Sequence, residues 1–145
     1  MIYVGIDCGL NGASAAIHSF EQAFPQEIVD TPTIKVKRAN KERNDYLIHM
    51  MVSQLKKWQG AGDMRAILEQ QIAFPGQSSV ATFSTGRGQG IWEGVLSSLD
   101  IPYQLVRPQD WKKAMLSGTG KDKGASILRA LQLFPQMAEY LKRKK

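Results

Sequence analysis

Ile2, Val4 and Ile6 alternate through an apolar opening run that predicts a buried central strand ending on Asp7, with Gly9 and Gly12 close behind. Ala13 to Phe20 is small and apolar and predicts a second strand, returning beside the first through the Asn11–Gly12 turn. Residues 28–32 (IVDTP) predict the end of a third strand, because Pro32 fits only an edge or a terminus. The basic stretch from Thr33 to Arg43 reads as an exposed loop, after which Asn44 or Asp45 would cap a helix. In that helix Leu47, Met50, Met51, Leu55 and Trp58 recur at helical spacing, with both methionines as core filling, and Gly60 and Gly62 end it. A short apolar run from Arg65 stops on Glu69. It is followed by a polar loop, Gln70 to Ser79, and by a helix in which Gly86, Gly90 and Gly94 repeat every four residues. That glycine face lets another backbone approach closely: the sheet, a second subunit or nucleic acid. Ile101 to Val106 predicts a further strand and Pro108 to Leu116 a short helix. A last helix runs from about Lys121 to Phe134 on a buried stripe of Ile127, Leu128, Leu131 and Phe134.

This alternation of strands and helices predicts an α/β fold, and 145 residues suffice for one domain, residues 1–145, with a proper core. No apolar run approaches membrane-spanning length, so no membrane partner is expected, and Met1 leads straight into the first strand with no room for a leader. The single cysteine, Cys8, excludes an internal disulfide and fits a reducing compartment; with two histidines and no partner motif, it reads as a small strand-end residue. Residues 86–90 (GRGQG) lack the Lys-Ser/Thr ending of a phosphate loop, and no nucleotide cofactor is expected. A formal net charge of +6 directs attention to polyanions, nucleic acid first. The basic residues gather at Lys35, Lys37 and Arg38, Lys41 to Arg43, Lys112 and Lys113, Lys121 to Lys123, and the terminal Lys142 to Lys145.

Asp7 by itself admits two readings, a turn cap before Gly9 or a metal ligand. Glu69 changes the balance. A strand, a helix and a second strand each ending on a carboxylate would bring Asp7 and Glu69 to one sheet edge, where ligands of open α/β sheets gather. Two carboxylates there suit a hard divalent cation. The alternative for Glu69 is an exposed residue paired with Arg65 or a nearby lysine. Lys121 and Lys123, in a first helical turn where the helix dipole disfavours cations, point to anions nearby.

The order of these features resembles the RuvC-type Holliday-junction resolvases of the ribonuclease H-like superfamily, nearest their plant plastid branch and its bacterial and phage relatives. The resemblance is carried by residues 5–13 (GIDCGLNGA), 31–37 (TPTIKVK), 68–75 (LEQQIAFP), 88–94 (GQGIWEG), Trp111–Lys112, Lys121–Asp122, 133–135 (LFP) and 141–145 (LKRKK). Such motifs are individually common; their order and spacing carry the likeness over essentially the whole chain. It implies a mixed sheet flanked by helices and a homodimeric endonuclease. That enzyme would nick opposed strands of a four-way DNA junction with Mg²⁺ or Mn²⁺, two ions per site, in homologous recombination.

By that resemblance Asp7 and Glu69 are metal-binding and catalytic carboxylates, and Lys121 lies near the scissile phosphate, with Lys123 as the alternative. The loop bearing Gln70, Gln71 and Phe74 probes bases. Lys35, Lys37, Arg38, Arg87, Lys112, Lys113 and Lys123 contact DNA. The family carries two further acids on a final helix that follows a basic segment like 141–145, and this chain stops at Lys145 before it. With two of four carboxylates, metal binding and cutting would be weak. The implied location is the cytoplasm and nucleoid of a bacterium or phage-infected cell, or the plastid stroma. Rival classes are a non-catalytic branched-DNA-binding module, a nuclease of the same fold acting on RNA or RNA–DNA hybrids, and an actin-like ATPase, which would need a second domain.

Overall fold

The computed structural model describes residues 1–18, 27–38, 40–118 and 123–141. The chain divides into two compact units, Met1–Leu105 and Val106–Lys145. In the first unit the strands are β1 (Ile2–Ile6), β2 (Ala13–His18), β3 (Glu27–Asp30), β4 (Thr33–Arg38), β5 (Lys41–Tyr46) and β6 (Met64–Glu69), with helices α1 (Ile48–Gln59) and α2 (Ser79–Ser98). Strand β7 (Tyr103–Val106) completes a five-stranded sheet of order β3-β2-β1-β6-β7.

Strand β1 is the hub of this sheet. It pairs antiparallel with β2, from Ile2 opposite His18 to Ile6 opposite Ser14, and parallel with β6, from Ile2 opposite Met64 to Ile6 opposite Leu68. Its alternation works as the period-two rule requires: Ile2, Val4 and Ile6 are buried while Tyr3 is exposed. Met64, Ala66 and Leu68 of β6 repeat the pattern. Against them the core gathers Met51, Leu55 and Trp58 of α1 and Trp92, Val95 and Leu96 of α2. A parallel pair needs a crossover, and α1 belongs to the one between β1 and β6.

Several expectations need correction. The basic stretch after Thr33 is a two-stranded antiparallel hairpin, β4 paired with β5, and not an open loop. Thr33, Ile34 and Val36 favour an extended backbone, and Asn40 takes the left-handed conformation (φ 63°) that the turn requires. Asn44 and Asp45 therefore belong to β5, and α1 begins after Leu47 with no side-chain cap. Met51 is core, but its neighbour Met50 is 46% exposed, since consecutive helical positions diverge by about 100°. Gly86, Gly90 and Gly94 do not face the sheet: all three are exposed, and a Cβ at any of them would meet nothing within 4 Å. The glycine that allows close approach is Gly88.

The second unit carries α3 (Pro108–Met115), α4 (Lys123–Leu133), a 3₁₀ turn (Pro135–Met137) and α5 (Ala138–Leu141). Pro108 sits at the start of α3, where its missing N–H costs nothing. The expected stripe on α4 is only half-buried at Ile127, Leu131 and Phe134, and Leu128 is 63% exposed.

Candidate active site

The parallel register decides the geometry. Ile6 and Leu68 are the last paired residues of β1 and β6, so Asp7 and Glu69 follow at adjacent strand ends, on strands spaced about 4.8 Å apart. Asp7 is exposed and Glu69 half-buried. The Asp7 backbone N–H donates to the Ala13 carbonyl at 2.9 Å, and one carboxylate oxygen, Oδ1, accepts from the Gly9 N–H at 3.1 Å. This turn rests on Gly12, where a Cβ would lie 2.2 Å from the Asp7 carbonyl oxygen.

Cys8, between the carboxylate and the turn, is buried, and its thiol donates to the Glu69 carbonyl at 3.5 Å. Burial pushes the thiol up to about 11, against a lowering hydrogen bond from Gln71 and with the Asp7 charge adding to the rise. Such a shift favours the thiol over the thiolate at neutral pH. A cleft of about 270 Å³ opens over this point, lined by Asp7, Gly9, Asn11, Gln71, Ser84 and Thr85 among others.

The loop after Glu69 is pinned at its start through Gln71, and at its tip the Phe74 N–H donates to Gln77 Oε1 at 3.3 Å while the Gln77 N–H donates to the Phe74 carbonyl at 3.1 Å. Gln70 and Gln71 are half-buried. The Gln71 N–H donates to Gln89 Oε1 at 2.8 Å, Gln89 donates to Glu93 at 2.6 Å, and the Tyr103 hydroxyl donates to the other Glu93 oxygen at 3.2 Å. Phe74 stands 64% exposed at the tip. The hairpin presents Lys35, Lys37, Lys41 and Arg43 to solvent, and the Lys35–Glu42 pair at 3.8 Å is too exposed to hold that face rigid. A groove of about 520 Å³ runs between the hairpin and α2, with Val36, Arg43, Val80, Phe83 and Arg87 in its walls.

Arg87 has a local role: its guanidinium pairs with Asp45 and lies 5.6 Å from the centre of the Tyr46 ring. Lys112 and Lys113 lie on α3 in the second unit, Lys112 5.5 Å from the Trp111 ring centre. Lys123 opens α4, Arg38 ends β4, and Lys121 lies outside the described residues. Tyr46 was not singled out in the sequence, and Gly88, Gln89 and Glu93 entered only within the 88–94 motif with no role, because each acts through a tertiary contact that no local pattern announces.

The donor set at Asp7 and Glu69, two carboxylates, suits a hard oxygen-seeking cation of the Mg²⁺ class. Among the described residues no cluster of three or more His, Cys, Asp or Glu forms, so such an ion would keep much of its water. No helix among the described residues is long and apolar enough to cross a membrane.

No family model matches the chain, and no curated protein matches it in sequence. Solved structures do. The structure of Thermus thermophilus RuvC superposes with a TM-score of 0.58 over 93% of this chain and 81% of that one, at 12% identity. T. thermophilus RuvC in complex with a Holliday junction substrate gives 0.61 over 92% and 79%, at 13% identity. The fold is RuvC-like. The mixed five-stranded sheet flanked by helices is the architecture these structures share with the chain, and at such identities the likeness speaks for the fold alone.

Proposed function

We propose that this protein is a metal-dependent DNA endonuclease that resolves four-way junctions by paired symmetric nicks, with residues 1–145 acting as one nuclease domain. The observation that carries the reading is the β1–β6 register, which sets Asp7 and Glu69 side by side in a RuvC-like fold. Asp7 and Glu69 would hold Mg²⁺ or Mn²⁺, which when bound activates a water and neutralises the leaving oxygen, two ions sharing the work. The chain's own residues bind and orient. The Gly9 N–H holds one Asp7 oxygen in place, leaving the rest of the carboxylate to a cation. Phe74, exposed on a loop anchored through Gln71, offers a face on which an unpaired base at the junction centre can stack. Lys35, Lys37 and Arg38 of the hairpin and Lys112, Lys113 and Lys123 would neutralise phosphates, with Lys121 or Lys123 beside the scissile one.

The active form in this reading is a homodimer, since paired nicks on opposed strands need two sites. The exposed glycine face of α2 is the surface best suited to a second copy. The location follows the substrate: a bacterial nucleoid, a phage-infected cell or a plastid stroma.

The decisive experiment compares cutting of a synthetic four-way junction and of linear duplex in Mg²⁺ or Mn²⁺. Paired nicks confined to the junction and abolished in Asp7→Asn are expected. Junction binding without nicks would make the chain a branched-DNA-binding module, and the absence of any junction preference would sink the substrate assignment.

A further inference from the structure

Cys8, the residue after Asp7, is held at its thiol and at its carbonyl. Its thiol meets the Glu69 carbonyl, and its own carbonyl accepts the Tyr46 hydroxyl at 3.1 Å in a buried hydrogen bond. It thus bridges the two chain segments that carry the paired carboxylates. The thiol contact at 3.5 Å is weak, so the Tyr46 bond is the stronger restraint.

Tyr46 is itself clamped. It is 7% exposed at the end of β5, its N–H donates to Asp45 Oδ1 at 2.8 Å, and Arg87 both pairs with Asp45 and lies over the Tyr46 ring. On α2 the space for the hydroxyl exists only because residue 88 is glycine. A Cβ there would stand 2.2 Å from the Tyr46 hydroxyl and 2.7 Å from the Cys8 carbonyl oxygen. The ends of β1 and β5 and the middle of α2 therefore converge on one hydrogen bond, next to an acid whose own local restraints are few. Asp7 lies beyond the last paired residue of β1, and among the described residues its backbone N–H bonds to Ala13 and its carboxylate to the Gly9 N–H.

We propose that Tyr46 is a positioning residue: by holding the Cys8 carbonyl it fixes the backbone on which the Asp7 carboxylate is mounted relative to Glu69. The inference rests on the reading of Asp7 and Glu69 as cation ligands. A cation site demands placement within about 0.5 Å, and a peptide free to rotate just after the ligand would forfeit that.

The test is Tyr46→Phe in the full chain, which keeps the ring and its Arg87 contact and deletes only the hydroxyl. Mn²⁺ binding to the DNA-free protein, followed by electron paramagnetic resonance, is expected to weaken about 10-fold or more, as losses of outer-sphere support do. Junction binding in metal-free buffer should stay unchanged. Gly88→Ala, which crowds both the hydroxyl and the Cys8 carbonyl it holds, should reproduce the loss. Melting curves are recorded for both variants, and Mn²⁺ binding is measured well below the transition. A lowered melting point with wild-type Mn²⁺ affinity would make the bond merely structural and overturn the proposal, as would wild-type affinity with no change at all. Wild-type protein showing no Asp7-dependent Mn²⁺ binding would overturn the cation-site reading itself, and this inference with it.

Discussion

Single atoms decide how the carboxylate at the end of β1 is presented. Gly12 is the clearest case: its N–H donates to the Gly9 carbonyl at 2.9 Å, and its α-carbon passes so near Asp7 that no side chain fits. Gly12→Ala should lower stability by about 1–3 kcal/mol, the usual cost of forcing one carbon into a filled space. Denaturant titration measures this, and an unchanged midpoint would mean that the turn yields without effort. For Arg87 the resemblance implies a DNA contact, and within the protein its guanidinium also pairs with Asp45 and lies over the Tyr46 ring, so it supports the frame around the cleft as well.

Among the elements, the hairpin and α1 show how secondary structure depends on what lies across from it. Lys35, Lys37 and Arg38 sit among Thr33, Ile34 and Val36, and it is cross-strand pairing with residues 41–46 that turns this polar stretch into strand. Helix α1 is joined to the sheet edge by Glu27 at the start of β3, which accepts from Trp58 Nε1 at 2.9 Å, Lys57 Nζ at 3.1 Å and Gln54 Nε2 at 3.4 Å. Burial alone would raise the Glu27 carboxyl, but the bonds from Trp58 and Lys57 outweigh it and hold the group below its ordinary range. A depressed folded-state value stabilises the fold above the unfolded carboxyl range, about pH 4.3, and that contribution is lost as pH falls through the folded value. Glu27→Gln should therefore cost stability near neutrality and flatten the acid limb of the stability–pH curve. Urea titrations across the acid range check both; an acid limb identical to wild type would show that Glu27 is not what titrates there.

At the scale of the whole molecule, the surface left open is as informative as the core. Helix α2 turns Trp92, Val95 and Leu96 inward and leaves Gly86, Gly90 and Gly94 outward with nothing near them. A second copy crossing there could bring two helical backbones close together. Gly90→Leu should leave the monomer folded, gaining about 1 kcal/mol of helix preference, and, with the proposed homodimer formed through this face, halve the mass measured by sedimentation equilibrium. Retention of a dimer would place the two-fold contact elsewhere.

Much of this was legible in the residue order alone, for a physical reason. A strand buried on one face repeats every two residues and an amphipathic helix about every 3.6, so β1, β2, β6, β7 and the presence of α1 to α4 can be read locally. The adjacency of Asp7 and Glu69 was expected from two strands ending on acids, and the parallel β1–β6 register bears it out, although β2 to β5 as well as α1 lie between the two strands. Tertiary structure alone decided what depends on distant partners. It made strands of a basic stretch and turned Met50 outward. It chose Gly88 over its more conspicuous neighbours as the point of contact, and it tied Cys8 to Tyr46, 38 residues away. Such contacts have no period along the chain; they exist only once the backbone has closed, because they are set by which surfaces meet and not by the order of residues on any one of them.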